Sequence, residues 1–175
     1  MKTPVLKTNR LLLRPFSIDD VQDVFYCWEN DPDVSKYMFW SSHNNIDKTK
    51  EWILFEINQI DKDDWYRFAI VLKKTNELIG TGLIYYEEEM KCFEIAYNLG
   101  KKYWQKGYAS EAMQTIIQFA KEKLQLKEIA ARVAKENIAS IKVIEKLGFQ
   151  YEKDILLLCN NGKIHRKGIQ YKLYL

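Results

Sequence analysis

The sequence predicts an α/β (α+β) fold, a mixed sheet with helices on both faces, and three observations carry that prediction. Apolar periodicity switches along the chain in the order strand, two helices, three strands, helix, strand, helix, two strands. The helical segments are one-sided, so each has a sheet face to cover. With 47% hydrophobic residues but only 7 Gly and 3 Pro in 175 residues, the composition is that of one packed domain, 1–175, with no linker.

The elements follow in order. VLKTNRLLLRP begins with a strand that Pro15 ends. Ser17 and Asp20 form an acidic capping box, after which Ile18, Val21, Phe25 and Trp28 recur at helical spacing up to Asn30-Asp31-Pro32. The aromatic loop KYMFW leads to a second helix, with Ile46, Ile53, Ile57 and Ile60 on one face. RFAIVLK and LIGTGLIYY are strand-like and joined by a KTNE hairpin, and KCFEIAYNL is the next strand. In it Phe93, Ile95, Tyr97 and Leu99 face one way and Glu94, Ala96 and Asn98 the other. Ala109, Ala112, Met113, Ile116, Ile117 and Ala120 mark the clearest helix. EIAARVA is a short strand, and Asn137 caps a helix carrying Ile138, Ile141, Ile144 and Leu147 that Gly148 stops. Strands around DILLLC and GIQYKLYL close the chain through a turn at Asn160-Asn161-Gly162.

Composition excludes several function classes. The 27 basic and 24 acidic residues are dispersed, so no basic block points to nucleic acid. Cys27, Cys92 and Cys159 are odd in number and widely spaced, which fits reduced, buried thiols better than a disulfide framework or a zinc site. His43 and His165 have no ligand-like partners in sequence, and no metal is expected. No signal-peptide core and no membrane-length apolar run are present, which leads to the expectation of a cytoplasmic protein.

The stretch YWQKGYASEA carries chemistry. A loop running into a helix N-terminus is an anion site, because the first helical N–H groups have no backbone partner and the helix dipole favours negative charge. Gly107 lacks a side chain that would hold a phosphate away, so the N–H groups of Gln105, Lys106, Tyr108 and Ala109 can converge as a nest, with Lys101, Lys102 and Lys106 adding attraction. A lone glycine before a helix is also an ordinary loop end. There is no G-x-x-x-x-G-K-[ST], and the G-x-G at Gly80 and Gly82 lies inside a strand with Tyr85 where a third glycine belongs.

Taken together and in order, NRLLLRPFSIDD, EIAYNLGKKYWQKGYASEAM and ENIASIKVIEKLGF resemble the GNAT superfamily of acetyl-CoA-dependent N-acetyltransferases, and within it the ribosomal-protein N-terminal acetyltransferase-like subgroup. The resemblance spans nearly the whole chain. It implies a mostly antiparallel sheet splayed between two parallel strands, and a coenzyme A loop of the form Q/R-x-x-G-x-G/A. Here Trp104, Gln105, Lys106, Gly107, Tyr108 and Ala109 occupy that loop, with Trp in place of the first Gln or Arg. It further implies that pantetheine pairs with backbone from Tyr97 to Leu99 while Asn137 reaches it from the other side.

Acetyl transfer needs a neutral amine, a stabilised oxyanion and a proton for the thiolate. Glu94 is the candidate base, acting through water, and its alternative is a charge paired within the sheet. A backbone N–H at the Leu99 end is the expected oxyanion donor. The tyrosine that many relatives carry seven residues after the asparagine is Ile144 here; the resembled subgroup points instead to Ser140 as acid, a position an ordinary first-turn serine also fills. Tyr37, Met38, Phe39 and Trp40 are candidates for an acceptor wall, and Glu87-Glu88-Glu89 for a solvated hairpin tip. The expected activity is transfer from acetyl-CoA to a primary amine, with a protein N-terminal α-amino group as the first acceptor, in a monomer or homodimer. A polyamine, amino-acid or antibiotic acetyltransferase, a non-catalytic acyl-CoA-binding module, and a protein or nucleic-acid interaction domain are the alternatives.

Overall fold

The computed structural model describes residues 1–175. It builds eight strands: β1 (Leu6–Lys7), β2 (Leu11–Arg14), β3 (Trp65–Leu72), β4 (Leu78–Glu87), β5 (Cys92–Leu99), β6 (Glu128–Ala134), β7 (Gln150–Cys159) and β8 (Ile164–Tyr174). The helices are α1 (Val21–Val24), α2 (Pro32–Ser35), α3 (Ile46–Gln59), α4 (Tyr108–Glu122) and α5 (Ile138–Lys146). One sheet contains all the strands in the order β1-β2-β3-β4-β5-β6-β8-β7. Every neighbouring pair is antiparallel except β5 and β6, which are parallel.

The mixed sheet with helices on both faces is as the sequence predicts, and the local differences have physical causes. The N-terminal strand is two short strands, because the Thr8 hydroxyl takes the Leu11 N–H at 2.8 Å and folds a turn between them. The first helix is not continuous: a 3₁₀ turn at Ile18–Asp20, where Asp20 accepts the Ser17 N–H at 2.8 Å, precedes α1, and a π turn at Phe25–Glu29 follows it. Pro32 opens α2 behind the Asp31 cap instead of only ending a helix. β7 and β8 begin at Gln150 and Ile164, earlier than DILLLC and GIQYKLYL suggest, and Cys27 is half-buried, unlike Cys92 and Cys159.

Each sheet face has its own core. On one, α4 buries Ala112, Met113, Ile116, Phe119 and Ala120 against Phe68, Ile70, Ile84 and Ile95, joined by Ile144 of α5. On the other, Val24, Trp28 and Ile53 pack on Phe16, Ala69 and Val71. Between the two halves of the sheet lies a wedge. β5 pairs with β6 only at Glu94↔Ala130, whereas β6 stays in register with β8 as far as Ala134↔Gly168. Gly100 N–H donates to Ile79 O, and from there the alternation of an antiparallel ladder directs the backbone groups of Ile95, Tyr97 and Leu99 away from β4 and into the wedge.

Candidate active site

Two cavities meet at this wedge. The smaller, of about 200 Å³, runs from Tyr97, Asn98 and Leu99 past Asn137 and Ser140 to Gln105, Gly107, Tyr108 and Ala109. At its outer end none of the backbone N–H groups from Gln105 to Ser110 has a partner within the protein. Gln105 (φ 59°) and Gly107 (φ 78°) both adopt left-handed backbone, which turns successive amides toward a common point. The loop is clamped from the N-terminus. Arg10 Nη1 donates to the Lys106 carbonyl at 3.0 Å, and its guanidinium lies 4.5 Å from the centre of the Tyr108 ring. Glu111 receives Arg10 Nε at 2.6 Å and the Thr8 hydroxyl at 2.5 Å.

The larger cavity, of about 860 Å³, lies under the aromatic loop and is lined by Tyr37, Met38, Phe39, Trp40, Trp52 and Trp65 among others. Tyr37, Met38, Tyr97, Asn98, Asn137 and Ser140 line both cavities and so mark where one opens on the other. At that junction Asn137 caps α5 by accepting the Ser140 N–H at 3.2 Å, which fixes the serine in the first turn. The Ser140 hydroxyl stands 3.0 Å from the Tyr97 hydroxyl. Burial pushes the Tyr97 phenol up to about 12, with Ser140 partly opposing the shift, so the pair holds its protons at neutral pH.

Glu94 sits in the wall of the larger cavity in a tight cluster. Its carboxylate accepts Arg132 Nε at 3.0 and 3.1 Å, Arg132 Nη2 at 2.6 Å and the Tyr85 hydroxyl at 2.6 Å. Arg132 also reaches Glu87 at 2.7 Å. Burial works against the Arg132 charge, but the bonds and attraction from Glu94 outweigh it and raise its pKa. Burial, followed by the Glu94 charge, raises that of Tyr85.

Residues 10–150 match the Acetyltransferase (GNAT) domain family. The uncharacterized N-acetyltransferase p20 of Bacillus licheniformis is 38% identical over 149 residues, covering 84% of this chain and 83% of its own. The chain belongs to the GNAT family of N-acetyltransferases. Among solved structures, a GNAT-family acetyltransferase from Bacillus anthracis superposes with a TM-score of 0.83 at 26% identity, covering 98% of each chain. RimL, a ribosomal L7/L12 α-N-protein acetyltransferase in complex with coenzyme A, superposes with a TM-score of 0.84 at 17% identity over 100% of this chain and 98% of its own, a likeness of fold.

In this GNAT enzyme Tyr97, Leu99, Gln105, Gly107, Tyr108, Ala109, Asn137 and Ser140 come together along the smaller cavity. Lys106 does not line it; its ammonium lies 5.8 Å from the Tyr103 ring centre. Lys101 and Lys102 are engaged by Asp33 and Glu77, which weakens the attraction expected of them. The Trp that departs from the loop pattern, Trp104, donates its indole N–H to the Leu99 carbonyl at 2.7 Å, leaving Tyr97 with the free carbonyl in the wedge. Glu94 lines only the larger cavity. Sequence reasoning missed the Tyr97 hydroxyl, the Arg132 partner of Glu94 and the Thr8–Arg10–Glu111 clamp. A charged residue inside an apolar strand, as at Arg67, Glu94 and Arg132, is the signal that points to such pairs.

Proposed function

We propose that this single domain transfers acetyl from acetyl-CoA to the α-amino group of an acceptor, a protein N-terminus first, by direct attack within a ternary complex. The observation that carries the reading is the junction of the two cavities at Tyr97, Asn98, Asn137 and Ser140, which gives donor and acceptor separate entrances and one meeting point. The residues fit the donor: unpaired amides and a side-chain-free turn for the pyrophosphate, and free backbone at Tyr97 for the pantetheine amides. RimL, whose fold this chain shares, holds coenzyme A and is named for an α-N-acetylation.

In this reading the amine attacks the thioester carbonyl, the C–N bond forms and the C–S bond breaks. The Ser140 hydroxyl gives its proton to the departing sulfur and is resupplied through the Tyr97 hydroxyl 3.0 Å away. An α-amino group, with a reference pKa of about 8, arrives partly neutral, which lowers the demand on a base. Glu94, so fully engaged by Arg132 and Tyr85, serves better as an anchor of the cavity wall than as a free proton acceptor, and the amine proton leaves through water. Thiol release from acetyl-CoA across N-terminal peptides, lysine peptides, polyamines and aminoglycosides tests the proposal. Release only with α-amino acceptors is expected; coenzyme A binding with no release from any amine would make the protein an acyl-CoA-binding module instead.

A further inference from the structure

Arg67 of β3 lies in the wall of the larger cavity and has no part in the chemistry above. Its guanidinium carbon is 5.3 Å from the Trp52 ring centre and 5.5 Å from that of Trp65, so both indoles lie within cation–π range of it. Its Nε lies 2.7 Å from Glu56 Oε1, and the other carboxylate oxygen of Glu56 accepts the Trp65 indole N–H at 2.8 Å. Glu56 thus sits beside the Nε edge of the guanidinium as a close ion pair without hydrogen-bond alignment, and the two indoles pack against it. Nη1 and Nη2 have no hydrogen-bond partner in the protein, while the side chain keeps 18% exposure within the cavity. Glu29, the other nearby acid, is taken by His43 at 3.1 Å and Thr49 at 2.5 Å. Lys48, which makes no ion pair, lines the same cavity.

Placing a guanidinium in an apolar wall is costly unless its donors are used, and a rigid fork with two parallel N–H groups free matches a carboxylate in bidentate geometry. The sheet register supplies the distance to the reacting end. Arg67 pairs with Leu83 and Leu83 with Ala96, and these three line the cavity together with Arg132 across the wedge. Two strand spacings, about 10 Å between backbones, separate Arg67 from the wedge, a span that one small acceptor bridges once the arginine side chain extends inward.

We infer that Arg67 is the specificity anchor of the acceptor site, binding a carboxylate carried by the same molecule whose amine is acetylated. The inference rests on the ternary-complex reading. Two sources offer this chemistry: a free amino acid, and a peptide N-terminus with an acidic residue close behind it. The test uses thiol release, with rates taken per neutral amine, for two pairs, glycine against glycinamide and Ser-Glu against Ser-Gln peptides, and the favoured pair names the source. A pair of charge-assisted hydrogen bonds predicts a kcat/KM preference of roughly 100-fold or more for the carboxylate member. In the double variant Arg67→Met with Glu56→Gln, chosen because Arg67→Met alone would strand a buried carboxylate, the preference falls to about onefold. Tryptophan fluorescence gives a readout free of turnover: N-acetylglycine, but not N-acetylglycinamide, perturbs Trp52 and Trp65 emission in the wild type and not in the double variant. Equal rates for both members of each pair, a preference that survives in the double variant, or a larger perturbation by inorganic phosphate than by N-acetylglycine would overturn the carboxylate assignment. Failure to bind coenzyme A by calorimetry, with the N-acetylglycine response intact, would sink the ternary-complex reading and leave the anion site standing.

Discussion

Replacing Gly107 by Ala separates two effects that the loop combines. Gly107 has φ 78° and ψ 3°, and left-handed backbone costs a residue with a Cβ about 1–2 kcal/mol. The added Cβ would meet only Arg10 Nη2, at 3.4 Å, so the clash is slight and the fold survives. For a domain of this size the strain lowers Tm by roughly 2–8 °C. The same methyl stands at the mouth of the unpaired amides, and one displaced N–H to phosphate bond removes about 1.5–3 kcal/mol, which weakens coenzyme A binding by roughly 10- to 150-fold. Gly162 is the control. It too has φ 78°, in the β7–β8 turn, and a Cβ there touches nothing within 4 Å. Gly162→Ala should therefore lower Tm comparably and leave calorimetric coenzyme A affinity unchanged. If Gly107→Ala also binds coenzyme A as the wild type does while its Tm falls, the loop does not hold the phosphates and the donor half of the argument is wrong.

Three further outcomes follow from named contacts. Ser140→Ala should lower kcat by about 100-fold with acetyl-CoA KM nearly constant, as loss of a proton donor does; an unchanged kcat removes Ser140 from the mechanism. Glu94→Gln should lower stability in urea melts by on the order of 2–4 kcal/mol, since it withdraws the main partner of the Arg132 guanidinium. Unaltered melts with collapsed turnover would instead restore Glu94 as the base. Tyr97 is held neutral to about pH 12, above the reference value of about 10, so its contribution to stability is complete below pH 10 and is lost as pH rises toward 12. Tyr97→Phe should flatten the fall of Tm across that alkaline window, and an identical fall in both proteins would mean that the Tyr97 phenol is not shielded.

What the sequence disclosed and what it withheld divide along the range of the interactions. α4, the Asn137 cap and the β4–β5 hairpin follow from spacings of a few residues, and the helix–sheet sides follow from one-sided burial. The unpaired amides of the loop before α4, proposed to hold coenzyme A, are legible as an anion-site candidate because a helix N-terminus and a glycine are adjacent in the chain. The break of the first helix into 3₁₀, α and π turns was not, because packing of Val24 and Trp28 with Phe16, Ala69 and Val71 across the sheet face decides it. Nor were the pairs Arg132–Glu94 and Arg10–Glu111, which join residues 38 and 101 positions apart and leave no periodic trace. Arg67 falls in sequence within the strand-like RFAIVLK, where alternation shows which side it faces and nothing of what flanks it there.

The single rung between Glu94 and Ala130 makes the sheet two leaves on a pin, β1 to β5 on one side and β6, β8 and β7 on the other. The Arg132–Glu94 clasp spans that pin, so a swing of one leaf against the other would change the width of the slot with the ladders inside each leaf intact. Amides along the slot should trade hydrogen for deuterium sooner than those inside each leaf, and a thioester threaded between them should slow that trade at both edges together.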